Sequence, residues 1–304
     1  MIKSKLITLI FQNFLNKRDI QFYKKKFTYY LIFRMIRNFL AYDLIIKINN
    51  FKVFASIKKN KTSYFLLKKC GFEDYHELNT IKKISNKKRI LLLDCGCNYG
   101  FYSLYAASLK KHNTIISIEA SKNISEEFLK NVKLNNFKNI IFYNNGVSDL
   151  DDVDISFNEG ENDWESSQIH SNFKIKMINN IKSIKIDSLV NSYDLDNYKT
   201  IIKLDIEGNE INAIQGGLKF IKKSSPIIII EFSRYIFDYK LNVDYLRDFL
   251  LNFDYSIYDT RNKKISLGEV IKNLNKLNKK YQTIGNFYLI KNTSDNLNIF
   301  LSDE

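Results

Sequence analysis

The strongest constraint on this chain is the run Asp94-Cys95-Gly96-Cys97-Asn98-Tyr99-Gly100, which directly follows the apolar stretch Ile90 to Leu93. A short strand breaks into glycines and opens a helix, and a second strand then ends in an acid, here Glu119. This is the pattern of a nucleotide-cofactor half-site in an α/β fold. The spacing narrows the cofactor. A dinucleotide fingerprint needs glycines at 96, 98 and 101, where this chain has Asn98 and Phe101 at the last two, and no Gly-Lys-Ser/Thr is present to hold phosphates. What remains, Asp-x-Gly-x-Asn-x-Gly, suits a cofactor with a ribose and a charged amino-acid tail but no phosphate. S-adenosylmethionine answers that description.

Each residue of the half-site has a physical reason to be there. Gly96 and Gly100 let the backbone approach a ligand because no Cβ intervenes. Asp94, at the carboxyl end of its strand, anchors the loop or faces the ligand's ammonium group. Asn98 hydrogen-bonds the turn and opens a helix expected from about Tyr99 to Lys110. Glu119 is placed to accept hydrogen bonds from ribose hydroxyls.

Cysteine usage bears on the compartment. Cys70, Cys95 and Cys97 make no disulfide framework, and the last two sit one residue apart inside the loop, where small packing residues belong. The expectation is a reducing, cytoplasmic setting. Charge divides the chain more sharply. Residues 1–93 carry 21 basic and 5 acidic side chains, net +16, whereas the remainder carries 26 and 28, net −2. A uniform compositional bias would not split in this way. The leading segment therefore suits an anionic partner, such as a lipid surface, an acidic glycan or nucleic acid, or else is a solvated lysine-rich face with no partner.

Residues 1–46 read as a basic amphipathic helical segment, with Arg34, Arg37, Asn38 and Ala41 on one stripe. It is a poor membrane span, because each arginine at mid-bilayer costs roughly 2.5 to 3.5 kcal/mol. Peripheral membrane contact or docking on the main body fits better. Residues 47–88 are expected to hold a hairpin, read over Ile45 to Leu67 with its turn near Lys59-Asn60-Lys61, and a lead-in helix over Phe72 to Ile84. From Arg89 strands and helices alternate, which predicts a mostly parallel sheet. The expected strands are Arg89–Asp94, Thr114–Glu119, Ile140–Asn144, Thr200–Asp205, Ile227–Phe232, Tyr255–Tyr258 and Gly285–Ile290, the last two forming an antiparallel end. Asp149 to Glu165 interrupts this rhythm with eight acids and no Lys or Arg, and Ser166, Ser167 and His170 follow. It reads as a solvated acidic loop or as a lid over the site. Residues 293–304 read as a polar tail.

A second cluster lies at Lys203-Leu204-Asp205-Ile206-Glu207-Gly208-Asn209-Glu210, and a third acid, Glu231, ends the run Ile227 to Ile230. Adjacent parallel strands would deliver Asp205, Glu207 and Glu231 to the carboxyl edge, where ligands of open α/β sheets bind. Converging carboxylates raise one another's pKa and so make a general base, or else they hold a divalent cation through oxygen ligands, Asp205 and Glu231 first.

With these two clusters the chain resembles the FkbM-type methyltransferase family. The resemblance rests on Asp94-x-Gly-x-Asn-x-Gly, Glu119, Asn135-Asn136, Gly146-Val147-Ser148-Asp149, Ile186-Asp187-Ser188-Leu189 and Lys203-x-Asp205-x-Glu207-Gly208-x-Glu210, over roughly Glu73 to Asp259. Cys97 stands where the family usually has Ala, and Ala120 where it usually has Pro. The resemblance implies a class I, Rossmann-like fold over residues 89–292, with a seven-stranded mostly parallel sheet. It also implies methyl transfer from S-adenosylmethionine, usually to a hydroxyl of a sugar, glycan or polyketide-type product. Cofactor contacts are expected from Asp94, Gly96, Cys97, Asn98, Gly100, Phe101, Glu119 and Ala120, with Ser148 and Asp149 at the adenine edge. Asp205 is the first candidate for base or ligand anchor, followed by Glu207, Glu231 and the loop histidine His170. Nucleic acid is not the expected substrate, because no Asn/Asp-Pro-Pro-Tyr/Phe motif follows the fourth strand. The competing reading is a non-catalytic binding protein on a degenerate methyltransferase scaffold that contacts membranes or polyanions.

Overall fold

The computed structural model describes residues 44–48, 50–55, 74–159, 167–168, 177–237, 240–277 and 283–302. Strands β1 (Leu44–Ile48) and β2 (Phe51–Ala55) form an antiparallel hairpin. Helix α1 (Tyr75–Lys87) leads into β3 (Ile90–Cys95), and α2 (Phe101–Leu109), β4 (Thr114–Ile118), α3 (Lys122–Asn135) and β5 (Ile140–Tyr143) follow. The middle of the chain adds β6 (Gly146–Val147), β7 (Asp154–Glu159), β8 (Ser167–Gln168), β9 (Met177–Ile184), the short helix α4 (Ile186–Val190) and β10 (Lys199–Leu204). Helices α5 (Glu210–Gly216) and α6 (Leu218–Ser224) precede β11 (Ile227–Ser233), α7 (Arg234–Phe237) and α8 (Lys240–Asn252). The described chain closes with β12 (Tyr255–Tyr258), β13 (Lys264–Ile265), α9 (Leu267–Leu274), β14 (Thr283–Lys291) and α10 (Ser294–Leu301).

The main sheet has eight strands in the order β13-β12-β14-β11-β10-β3-β4-β5. Strands β11, β10, β3, β4 and β5 are parallel, and β14 inserts antiparallel between β11 and β12. All seven expected strands are present, and the two-residue β13 is the eighth. The doubly wound, Rossmann-like reading holds. It holds because the central strands are apolar on both faces: every residue of β3 and β10 is buried. Alternation then distributes them between two cores. Ile90 and Leu92 join the core under α1, α2 and the hairpin, while Leu91, Leu93 and Cys95 join the core under α4 to α9.

Four local expectations are corrected. The hairpin turns between Ile48 and Phe51, ahead of residues 59–61, which lie outside the described residues, as do residues 1–43. Because Leu44–Ile48 is a strand, the expected helical segment cannot run to 46. The polar tail contains helix α10, whose Phe300 packs edge-on to Tyr288 at 4.8 Å between ring centroids. Its Ser/Asp/Asn-rich composition hides the two apolar residues, Ile299 and Phe300, that hold it in the core. Part of the acidic stretch is ordered as well. Asp154–Glu159 pairs antiparallel with β9 in a second sheet of order β6-β9-β7-β8.

Candidate cofactor and active site

The loops after β3, β4, β5 and β10 all emerge at the carboxyl edge of the parallel strands, and a cavity of about 260 Å³ opens among them. Gly96, Asn98, Glu119 and Ala120 line one side. Asn145, Gly146, Val147, Ile155 and Ile181 line a second, and Asp205, Ile206, Glu207, Asn209 and Glu231 a third. The two clusters read from sequence therefore meet in one space.

The glycine loop is shaped by three left-handed residues: Gly96 (φ 78°), Asn98 (φ 49°) and Gly100 (φ 87°). Gly96 and Cys97 donate their N–H groups to Ile118 O, each at 2.9 Å, which ties the loop to the end of β4. Asn98 stabilises its own strained backbone, with its Oδ1 accepting from Tyr99 N at 2.8 Å. The helix cap itself is Gly100, and α2 starts at Phe101, two residues later than expected. At Gly100 a Cβ would stand 2.5 Å from the ring of Phe128, so the backbone conformation and the packing both require glycine there.

Asp94 is tied to helix α2 and is not among the residues that line the cavity. It is buried, and its Oδ2 accepts from Ser103 N at 3.0 Å and from the Ser103 hydroxyl. Burial pushes its pKa up to about 6, against the Ser103 hydrogen bonds and the Lys203 charge. Glu119 does line the cavity. Its Oε2 accepts from Asn98 N at 3.0 Å and its Oε1 from Ser121 N at 2.8 Å. Burial raises its carboxyl to about 7, and the Ser121 and Asn98 N–H groups pull the other way. A carboxylate has about four acceptor positions, so Glu119 keeps capacity for a ligand hydroxyl beside its backbone N–H partners.

Of the remaining residues expected at the cofactor, Cys97 is buried, Phe101 packs against the core under α1 and α2, and both lie outside the cavity wall. Ser148 and Asp149 also lie outside it, directly after the wall residue Val147, with Ser148 Oγ donating to Asp149 Oδ1 at 3.0 Å. His170 is outside the described residues.

The carboxylates of Asp205, Glu207 and Glu231 converge, with one oxygen of each within 4.8 Å of the others. Hard oxygen donors at that spacing fit a divalent cation as well as they fit proton transfer. Burial, then Asp205 and Glu231, hold Glu207 well above the usual carboxylate range. Burial and Asp205 raise Glu231 to about 8. Lys203 is the cation of the cluster. It is 1% exposed, with Nζ 3.2 Å from Asp205 Oδ2 and 3.0 Å from Asn286 Oδ1. Burial works against its charge, but Asp205, Asp74 and Glu231 hold its pKa above the ordinary lysine range. Glu210 shapes the loop rather than the cavity: its carboxylate accepts from Ile206 N at 3.1 Å and from Gly208 N at 3.0 Å.

Sequence reasoning did not foresee Asn145, Asn209, Ile155 and Ile181 as wall residues. Asn209 follows the Glu207-Gly208 motif directly, so adjacency was a usable signal for it. Ile155 and Ile181 reach the wall only through the β7–β9 pairing, where Ile155 lies opposite Ile181.

The sequence pattern of the methyltransferase FkbM domain matches residues 94–257. The chain belongs to the FkbM methyltransferase family. The matched span begins at Asp94 and ends in β12, and the hairpin, α1, β14 and α10 lie outside it while sharing the same cores. Among solved structures the domain is similar to the methyltransferase FkbM from Methylobacillus flagellatus KT, at 19% identity and TM-score 0.41. That likeness covers 75% of this chain and 52% of the other, so the chain spans about half the length of that relative. It is similar also to M. jannaschii TYW2 in complex with AdoMet, at 12% identity and TM-score 0.38, covering 82% and 87% of the two chains. A third likeness is to the precorrin-6y C5,15-methyltransferase from Geobacter metallireducens GS-15, at 10% identity and TM-score 0.36, covering 70% and 84%. No curated protein sequence matches the chain. Among the described residues of this FkbM-type domain, no helix is long and apolar enough to cross a membrane.

Proposed function

We propose that this chain transfers the methyl group of S-adenosylmethionine to a hydroxyl of a sugar, glycan or related metabolite. The observation that carries the reading is a single cavity lined both by the Asn98–Glu119 pair and by the Asp205, Glu207 and Glu231 carboxylates. Glu119 would hold the ribose hydroxyls, and the loop from Gly96 to Gly100, leading into Phe101, would hold the amino-acid end together with Ala120. Ser148 and Asp149, which follow the wall residue Val147, would meet the adenine edge. When bound, the cofactor supplies an activated methyl on a sulfonium. The protein then has to align the acceptor oxygen and take its proton. Transfer of that methyl to the acceptor oxygen would leave S-adenosylhomocysteine, and the acceptor's proton would pass to one of the carboxylates. Asp205 is the first choice for that base or for the anchor of the ligand's amino group, with Glu207 and Glu231 next. His170 is a further candidate base.

Calorimetric titration with S-adenosylmethionine and S-adenosylhomocysteine, with NAD as control and Glu119→Ala as the variant, tests the cofactor. Saturable binding of the first two, lost in the variant, is expected. A folded chain that binds neither sinks the proposal. Transfer of labelled methyl to a panel of hydroxyl acceptors tests the reaction, and Asp205→Asn is expected to abolish turnover while retaining cofactor binding.

The carboxylate trio also supports a divalent cation held by Asp205 and Glu231 with Glu207. A rise in Tm on adding Mg²⁺ or Mn²⁺, reversed by chelator, would support it. The basic leading segment supports a different reading, a non-catalytic scaffold on membranes or polyanions. Cofactor consumption separates that reading from the enzyme. For the enzyme we infer a cytoplasmic setting, with peripheral membrane contact through the basic leading segment.

A further inference from the structure

The proposed chemistry makes no use of the β1–β2 hairpin, yet its outer edge is joined to the cofactor loop through Asn131 of α3. Strand β1 occupies one edge of β2, from Leu44 opposite Ala55 to Ile48 opposite Phe51. Two asparagines one helical turn apart on α3 satisfy the other edge. Lys52 N donates to Asn135 Oδ1 at 2.6 Å, Asn135 Nδ2 donates to Lys52 O at 2.7 Å, and Phe54 N donates to Asn131 Oδ1 at 2.8 Å. They stand in for a third strand.

Asn131 does more than its partner. It is 1% exposed, and its Nδ2 donates at 3.1 Å to the carbonyl of Tyr99, between the cavity residue Asn98 and the helix cap Gly100. A backbone N–H can only donate and a carbonyl can only accept. A carboxamide of this length is the side chain that serves both at once. The hairpin also rests on the helix that the loop opens, with Phe51 meeting Tyr105 edge-on at 6.3 Å between centroids. The loop holds three residues at positive φ, a shape that an untethered backbone loses readily.

We infer that Asn131 is a positioning residue for cofactor binding, its amide coupling the hairpin Leu44–Ala55 to the loop Gly96–Gly100 so that ordering either one stabilises the other. The inference rests on the cofactor reading above. Coupling of this kind is reciprocal: a ligand that fixes the loop protects the hairpin, and loss of the link weakens the ligand.

Hydrogen exchange by mass spectrometry on the full chain, with and without saturating S-adenosylhomocysteine, tests the first half. The ligand is expected to slow exchange of the amides in 51–55, which lie outside the cavity. Calorimetry on Asn131→Ala and Asn131→Asp tests the second. Asn131→Asp keeps the acceptor for Phe54 N and replaces the donor to Tyr99 O with a carboxylate oxygen. Both variants are expected to bind S-adenosylhomocysteine roughly fivefold or more weakly and to lose the ligand-induced protection of 51–55. Wild-type chain that binds the ligand with 51–55 unchanged overturns the coupling, whichever way the variants fold. Folded variants with wild-type affinity overturn the role of Asn131. Wild-type chain that binds no ligand overturns the cofactor reading, and this inference with it.

Discussion

A Cβ on Gly96 would stand 2.0 Å from the carbonyl oxygen of Asp205. The two motifs of the site therefore touch backbone to backbone, helped by Asp205 N donating to Cys95 O at 3.2 Å. Gly96→Ala is expected to lower stability by about 2 to 5 kcal/mol, from left-handed strain and forced separation of the loops. It should also abolish binding of S-adenosylhomocysteine. Thermal denaturation and calorimetry check it, and a variant with wild-type Tm would show that the two loops part easily.

Lys203 is the buried cation shared by Asp205, Asp74 and Glu231. Lys203→Met should destabilise the fold by about 3 to 5 kcal/mol, because it removes the positive charge that offsets those three carboxylates. Urea denaturation with an unchanged m value is the measurement. The loss should be larger at pH 9 than at pH 6, since Glu231 sheds its proton at about 8.

The pH dependence of the unliganded protein follows from five buried acids. Glu231 is raised to about 8, Glu77, Glu119 and Glu210 to about 7, and Asp94 to about 6. In each case the folded state binds the proton more tightly than the unfolded state. Their contribution is complete below the ordinary carboxylate pKa and is lost as pH rises through 6 to 8. Tm should therefore be higher at pH 5.5 than at pH 8.5, and Glu119→Gln should flatten part of that slope. A Tm that rises over this interval would contradict the assignment.

Glu210 holds the backbone of the Asp205–Gly208 turn through Ile206 N and Gly208 N. Glu210→Ala strands those donors and should cost about 1 to 3 kcal/mol. Turnover on an identified acceptor should fall further than this loss of stability explains, because the turn carries Asp205 and Glu207. Chemical denaturation alongside initial rates separates the two effects.

The succession of the main strands along the chain and the two loops that flank the cavity were determined by the sequence alone. Runs such as Ile90–Leu93 and Ile227–Ile230 are apolar on both faces and end in glycines or acids, and only a covered parallel sheet accommodates that pattern. Local chemistry was enough to place Glu119, Asp205 and Glu231 at one edge. The tertiary structure decided what depended on distant partners. Asn131 reads as an ordinary helix residue, but its amide joins positions 77 residues before it and 32 before it in the chain. Strand β7 reads as an acidic loop because its pairing with β9, not its own composition, makes it a strand. Asp94, which reads equally well as a ligand contact, is turned inward by Ser103. Whether a polar side chain serves the ligand or the fold is set by which hydrogen-bond partners packing brings to it, and those partners are remote in sequence.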